Sequence, residues 1–295
     1  MNHPRSDDFS RPPGHERLKS HRDWPEGRSQ SLLQNASRAP ALDIVFSLAG
    51  GALLIFLVAP LASTLLSTTP TAFWDTLRDP EVLASIRLTF LAALAAVIFG
   101  LLTGVPLAYL LARRAFPGRR LAQAVVNLPL VIPHTAAGIA LLMVFGRRGI
   151  FGQAFAPLGI AFTDTAWGIA VAMTFVGLPF LVNASREAFS QVEVEYELAA
   201  LADGASPWQA FWHVALPQAG RGVLTGALMM WARGVREFGA VVILAYHPKV
   251  VPVLVYQRFE GFGLAAALPV AVVLIVAALL VFVLLSALSH RQSIL

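Results

Sequence analysis

The sequence predicts an all-α integral membrane protein of six spanning helices, with a cytoplasmic helix–turn–helix elbow between the fourth and fifth. Three observations carry that expectation. Of the 295 residues, 57% are hydrophobic and 13% charged, and the mean hydropathy is +0.67; a soluble domain carries about 25% charged residues. The apolar residues gather into six blocks, each long enough for a hydrocarbon core about 30 Å thick. The Lys and Arg residues favour one set of connecting segments over the other. Cysteine is absent, which excludes disulfides and thiolate metal sites. The net charge of +5 does not point to nucleic acid, because the basic residues flank apolar blocks, where membrane orientation accounts for them.

Residues 1–40 are rich in Pro, Gly, His and charge, and too poor in aliphatic side chains to fold alone. They are expected to be a disordered cytoplasmic tail, with no apolar core of a signal peptide close behind the charges. The first span covers 41–66, followed by a loop at 67–81 with Trp74 at interface depth. The second span, 83–113, holds Gly100, Gly104 and Pro106. A Phe-Pro-Gly turn then sits among Arg113, Arg114, Arg119 and Arg120. The third span, 121–145, contains Pro129, Pro133 and Gly138; broken membrane helices are tolerated where their backbone faces protein or water. A loop at 146–162 leads to the fourth span, 165–189, and the polar segment 190–217 to the fifth, 221–246. The segment 247–262 reads as an apolar loop packed on the outer ends of the bundle, before the sixth span, 264–288, and a short cytoplasmic tail, 289–295.

Six spans put both termini on one side. With the termini inside, fourteen Lys and Arg residues fall in inner segments and five in outer ones, while Arg87, Arg233 and Arg236 lie within spans. That bias places both termini and the elbow in the cytoplasm.

The elbow reads ELAALADGASPWQAFWHVALP, residues 197–217. Ser206 suits an N-cap, Pro207 the first helical position and Gln209 the return arm of a capping box. Gly204 suits a helix end. Two short helices should therefore meet at Gly204, Ala205 and Ser206. The stretch resembles the coupling loop of ABC importer permeases, whose motif is Glu-Ala-Ala, three residues, Gly, then about a dozen residues to an aliphatic-Leu-Pro end. Ala199, Ala200, Gly204, Leu216 and Pro217 match it; Leu198 stands where the motif has Glu, and Glu197 lies one residue earlier. The resemblance makes Glu197, Ala199, Ala200, Asp203, Gly204, Ala205, Ser206, Pro207, Trp208 and Pro217 the expected coupling segment.

The fifth span carries ARGVREFGA, 232–240. On a continuous helix Arg233, Arg236 and Glu237 share a stripe roughly 100° wide, with Gly226, Met229, Met230 and Ala240 on or beside it, and Gly239 counts with Met230 among the candidate path residues. Such charges cost about 2.5–3.5 kcal/mol each in a bilayer, so they should face the bundle interior or a wet path. Two readings stay open and compatible. Glu237 pairs with Arg233 at the i,i+4 spacing as a structural lock, or the stripe lines a translocation path past which arginine forks ease an anion. His134, in the broken third span, either titrates or touches substrate; the favoured reading is a neutral ring bonded to a backbone carbonyl freed by the break.

Three further passages resemble the molybdate and tungstate permeases within that family: NLPLVIPHTAAGIALLMVFGRRGIFG (127–152), ARGVREFGA, and GLAAALPVAVVLI from Gly263. His134 replaces a second Pro of that subfamily, and Arg236 replaces a frequent Gly. The resemblance implies a homodimer, two cytoplasmic ATPase subunits that use ATP and Mg²⁺, and an extracytoplasmic oxyanion-binding protein. It places the chain in a bacterial or archaeal cytoplasmic membrane. The chain has no Gly-x-x-x-x-Gly-Lys-Ser/Thr loop and is expected to bind no cofactor and catalyse no reaction itself. The alternatives are a sulfate or thiosulfate permease, which often has Tyr-Gly-Ser where this chain has Phe238, Gly239 and Ala240, and an ATP-independent secondary transporter, which fits midplane charges and broken helices but gives no reason for the elbow.

Overall fold

The structure, a computed structural model, describes residues 40–291. The tails expected at 1–40 and 289–295 lie outside the described residues, apart from Pro40 and the final helical turn. All regular structure among the described residues is helical.

The chain divides into two units, residues 1–63 and 64–295. The helix that carries the first apolar block, α1 (Pro40–Leu66), is apolar all round, and its side chains from Asp43 onward are exposed or half-exposed. A helix without a polar face belongs in lipid.

The second unit begins with α2 (Pro70–Arg78), a capped helix where the sequence suggested a loop. The Thr69 side chain accepts from Ala72 N, and Pro70 takes the first helical position. Asp79 caps α3 (Pro80–Arg113) by accepting from Glu81 N. At 34 residues, α3 is roughly 50 Å long. Its buried face is built of small residues, including Ala92, Ala93, Ala96 and Gly100. That face packs on α7 (Ala166–Gln191), and α7 packs in turn on α10 (Leu216–Val235). The helices approach closely because small residues meet. A Cβ added at Gly222 would collide with the Ala188 Cβ, and one at Gly177 would stand 2.9 Å from Met230 Cγ. In lipid, such close contact drives helix association.

The predicted third span is two helices, α4 (Arg119–Val131) and α5 (His134–Phe145), bent by 118°. Pro133 causes the bend. It has no N–H to continue the ladder, and it holds Ile132 extended, at φ −72°, ψ 133°. The loop expected at 146–162 contains α6 (Ile150–Phe155) and a 3₁₀ turn, Ala156–Leu158. The elbow segment contains α8 (Val194–Ala202) and α9 (Pro207–Ala210), and a π-helical turn, Phe211–Ala215, joins α9 to α10 without interruption.

The fifth span differs most from the expectation. α10 ends at Val235, and α11 (Gly239–Leu244) follows as a separate short helix. The apolar segment 247–262 is mostly helix α12 (Val251–Phe262), packed on α13 (Leu264–Arg291). Two ties hold α12 and the segment just before it to the start of α3. Lys249 Nζ donates to Glu81 Oε1 at 2.8 Å, and Arg258 Nη2 to Asp79 Oδ2 at 2.6 Å.

Among the described residues, four helices are long and apolar enough to cross a membrane, and a fifth span follows if α4 and α5 form one. α10, with 20 residues, is amphipathic and carries Arg221 and Arg233.

Candidate functional site

Two helix breaks meet in the second unit. α5 begins at His134 behind the Pro133 bend, and α11 begins at Gly239 behind the 236–238 break. A Cβ at Gly239 would stand 2.7 Å from the His134 Cβ, so no residue but glycine fits the junction without movement. Arg233, in the last turn of α10, bridges the two breaks. Its Nη2 donates to Glu237 Oε2 at 2.7 Å and to His134 Nε2 at 2.8 Å. Arginine has no acceptor, so that ring nitrogen receives the hydrogen bond through its lone pair.

Glu237 has a second task. Its Oε1 accepts from Ala240 N at 2.8 Å, satisfying a first-turn amide of α11. One carboxylate thus holds the cation and starts the next helix, which accounts for a break without proline. Glu237 is 1% exposed and Arg233 8%. Charges this deep persist only when paired. His134 is exposed, so one side of the cluster reaches the surface. One turn before Arg233, Met230 is fully buried.

The cluster gathers Arg233, Glu237, His134 and Gly239 and leaves out Arg236. The helical stripe expected through 233, 236 and 237 does not exist, because the helix stops at Val235; Arg236 is exposed at the break. His134 meets the Arg233 guanidinium rather than a freed carbonyl. The groups left unpaired at the start of a helix are amide donors, not carbonyls, so a ring N–H finds no acceptor there, while the ring's lone pair takes the guanidinium donor.

At the other end of α10 lies the elbow. α8 closes with two hydrogen bonds, Gly204 N to Leu201 O at 3.1 Å and Ala205 N to Ala200 O at 2.9 Å. This is a Schellman ending, and Gly204 takes its left-handed position at φ +94°. Ser206 and Gln209 then form a reciprocal capping box ahead of α9, with bonds of 3.2 and 2.8 Å. Asp203, Ser206, Pro207, Trp208 and Pro217 are exposed, as is Ala199, while Ala200 and Ala205 are half-buried.

Glu197 points the other way. It is buried and accepts from Arg113 Nε at 2.8 Å and from the Tyr109 hydroxyl at 2.6 Å. Arg113 Nη2 also donates to Val192 O, at the end of α7, at 2.8 Å. One buried ion pair therefore pins the elbow to the last turns of α3 and α7. Tyr109 adds ring contacts to Phe189 and Phe211, with centroids 5.3 and 4.9 Å apart. Sequence reasoning took Arg113 as a marker of membrane orientation and passed over Tyr109. No local pattern reveals a bond across 84 residues, and Arg113 stands beside Arg114 in a basic turn that membrane orientation already explains.

A helical bundle with two broken helices knotted around a buried arginine, and with an anchored polar elbow, defines a membrane transport protein of the permease class. The profile described as "Binding-protein-dependent transport system inner membrane component" matches residues 104–294, and the chain belongs to that family. It is 38% identical over 251 residues to the molybdate/tungstate transport system permease protein WtpB of Thermococcus kodakarensis, covering 84% of this chain and 96% of that protein. It is 33% identical over 257 residues to the sulfate transport system permease protein CysT of Escherichia coli K12, covering 83% and 93%. Its fold is similar to a chain from the crystal structure of a bacterial ABC transporter involved in the import of the acidic polysaccharide alginate. The TM-score is 0.70 at 17% sequence identity, over 88% of this chain and 99% of that one.

Proposed function

We propose that this chain is the permease subunit of an ATP-driven importer that passes a tetrahedral oxyanion, molybdate or tungstate, into the cytoplasm by alternating access. The observation that carries the reading is the likeness to the molybdate/tungstate permease over nearly its whole length. The sulfate permease relative, at 33% identity, keeps a second oxyanion of like charge and shape as the alternative.

On this reading α10 and the pair α4–α5 complete six spans, with both termini and the elbow in the cytoplasm. The partners are a second copy of the chain, two ATPase subunits that use ATP and Mg²⁺, and an extracytoplasmic binding protein. The chain contributes no ATPase chemistry. The exposed apolar residues of the elbow, Leu198, Leu201, Trp208 and Trp212, form the face offered to the ATPase. Closure of the ATPases shifts α8 and α9. The shift travels along α10, since α9, the π turn and α10 are one continuous rod, and Arg233 lies roughly 24 Å beyond Pro217 on it. There it works the knot. With Glu237 and His134 as partners, Arg233 is neutralised and the path is closed. Once the rod moves, the guanidinium is released to make brief bidentate contact with the passing oxyanion.

The test is uptake into proteoliposomes that hold this chain, its ATPase and its binding protein. Labelled molybdate should enter only with ATP, and tungstate should compete while sulfate does not. Equal competition by sulfate would transfer the assignment to the sulfate permeases. Uptake without ATP by this chain alone would overturn it.

A further inference from the structure

The turn between α3 and α4 and the C-terminal part of α7 line a cavity of about 620 Å³ that is open to the surface. Phe116, Arg119, Arg120, Gln123 and Arg186 line it. Three guanidinium groups converge there, and no carboxylate is in the lining. The ion pairs among the described residues involve Arg113, Arg233, Lys249 and Arg258, and none of these three arginines. Arg186 Nε is buried and has no hydrogen-bond partner in the protein. The lining also includes the first turn of the 13-residue helix α4, whose N-cap is Gly118, a residue without a side chain to satisfy the free amides. Gln123 Nε2 is already committed to Asn183 Oδ1 at 2.8 Å, so the free donors are guanidinium groups and backbone amides.

Membrane orientation explains why arginines stand in a short loop. It does not explain why two of them meet a third from α7 around one cavity, nor why a buried guanidinium nitrogen faces no acceptor. Like charges brought together repel, and a buried unmet donor costs free energy. A dianion with several oxygens, set among the three forks and the helix start, removes both costs.

We propose that this cavity is a second anion site, built for a phosphate-type tetrahedral oxyanion and separate from the Arg233 cluster. Two sources offer that chemistry: the phosphate of an anionic lipid headgroup, and a free inorganic oxyanion. The proposal stands whichever oxyanion the transporter carries.

The experiment uses the full-length chain purified with its ATPase subunits. In one arm, native mass spectrometry counts phosphatidylglycerol retained against phosphatidylcholine. In the other, inorganic phosphate is titrated calorimetrically into protein held in phosphatidylcholine nanodiscs. A lipid source predicts selective retention of phosphatidylglycerol; a free anion predicts saturable phosphate binding with no lipid preference. Either result supports the site if Arg186→Gln weakens it by about tenfold or more, Arg186→Lys weakens it less, and Arg78→Gln, in a different segment, leaves it unchanged. Should Arg186→Gln fail to fold, the exposed pair Arg119→Gln and Arg120→Gln carries the same expectation. No binding of either probe by the wild-type protein, or equal binding by these variants and the control, overturns the proposal.

Discussion

Glu197→Ala removes the anchor between the elbow and the bundle. Glu197 accepts two charged or charge-assisted hydrogen bonds, from Arg113 at 2.8 Å and Tyr109 at 2.6 Å. Its loss leaves the Arg113 guanidinium, 9% exposed, with the Val192 carbonyl alone. Stripping one partner from a buried pair costs about 3–5 kcal/mol. The residual exposure puts this case near the low end, about 3 kcal/mol. Glu197→Gln keeps the shape and one good acceptor, and should cost about 1.5–3 kcal/mol. The double variant Arg113→Met with Glu197→Ala removes the stranded cation too, and should recover about half the loss. The assay is a double-mutant cycle on the unfolding of the purified transporter, run beside the number of oxyanions imported per ATP hydrolysed. Stability should be partly restored in the double variant while the transport ratio stays low, because a methionine repairs the burial but not the tether. If the two single effects add within about 0.5 kcal/mol, or if Glu197→Ala transports with the wild-type ratio, the pair is no tether and the reasoning fails.

Three further outcomes are expected. Gly204→Asp places a side chain at φ +94°, a strain of roughly 1–2 kcal/mol, in a position with open space around it. Membrane insertion should survive while ATP-driven uptake falls, as expression and flux assays would show. Gly239→Ala drives a methyl group into His134, 2.7 Å away, and should loosen the knot at a cost of about 1–3 kcal/mol; the readout is oxyanion leak from loaded vesicles without ATP. Asp79 has its carboxyl pKa held below the usual value, chiefly by the hydrogen bond from Arg258. A depressed carboxylate stabilises the fold above its unfolded pKa, near 4, and that contribution is lost as pH falls through the folded value. Acid titration of unfolding should therefore show a transition at low pH that Arg258→Met flattens; an unchanged profile would remove the ion pair from the account.

The sequence revealed what depends on near neighbours. The Ser206–Gln209 capping box and the Gly204 helix ending follow from residues within six positions of each other, and the Arg233–Glu237 pair was suggested by its four-residue spacing, although Glu237 lies beyond the end of the helix. The Pro133 bend was visible as a break, though not as a turn of 118°, because an angle is set by what the following helix packs against. The end of α10 at Val235 was not legible. Nothing in Val-Arg-Glu-Phe forbids helix, and the break exists because the Glu237 side chain caps Ala240 N in competition with the continuing ladder. The Glu197–Arg113 bond and the arginine cavity were invisible for another reason: each joins segments more than sixty residues apart, and nothing local marks them.

Both buried ion pairs of the second unit stand at the ends of a single rod. From Pro207 to Val235 the chain is helical without a gap, roughly 43 Å long, and Pro217 falls near the start of α10, where its missing N–H does little harm. Glu197–Arg113 fixes the elbow beside one end, and Arg233–Glu237 closes the other. The middle packs closely on α7 through glycine contacts. On the proposed function, a push at the elbow is carried along this rod. The Glu197 pair joins the elbow to two long helices that resist motion, whereas the Arg233 pair joins the rod to α5 and to the six-residue α11, which are shorter and separately hinged. The proposed function makes the end with the short helices the one that yields. On the proposed function, that is why a charge pair too costly to leave unpaired in a membrane is retained there: it is stable while the rod is at rest, and it is the contact that the rod is placed to break.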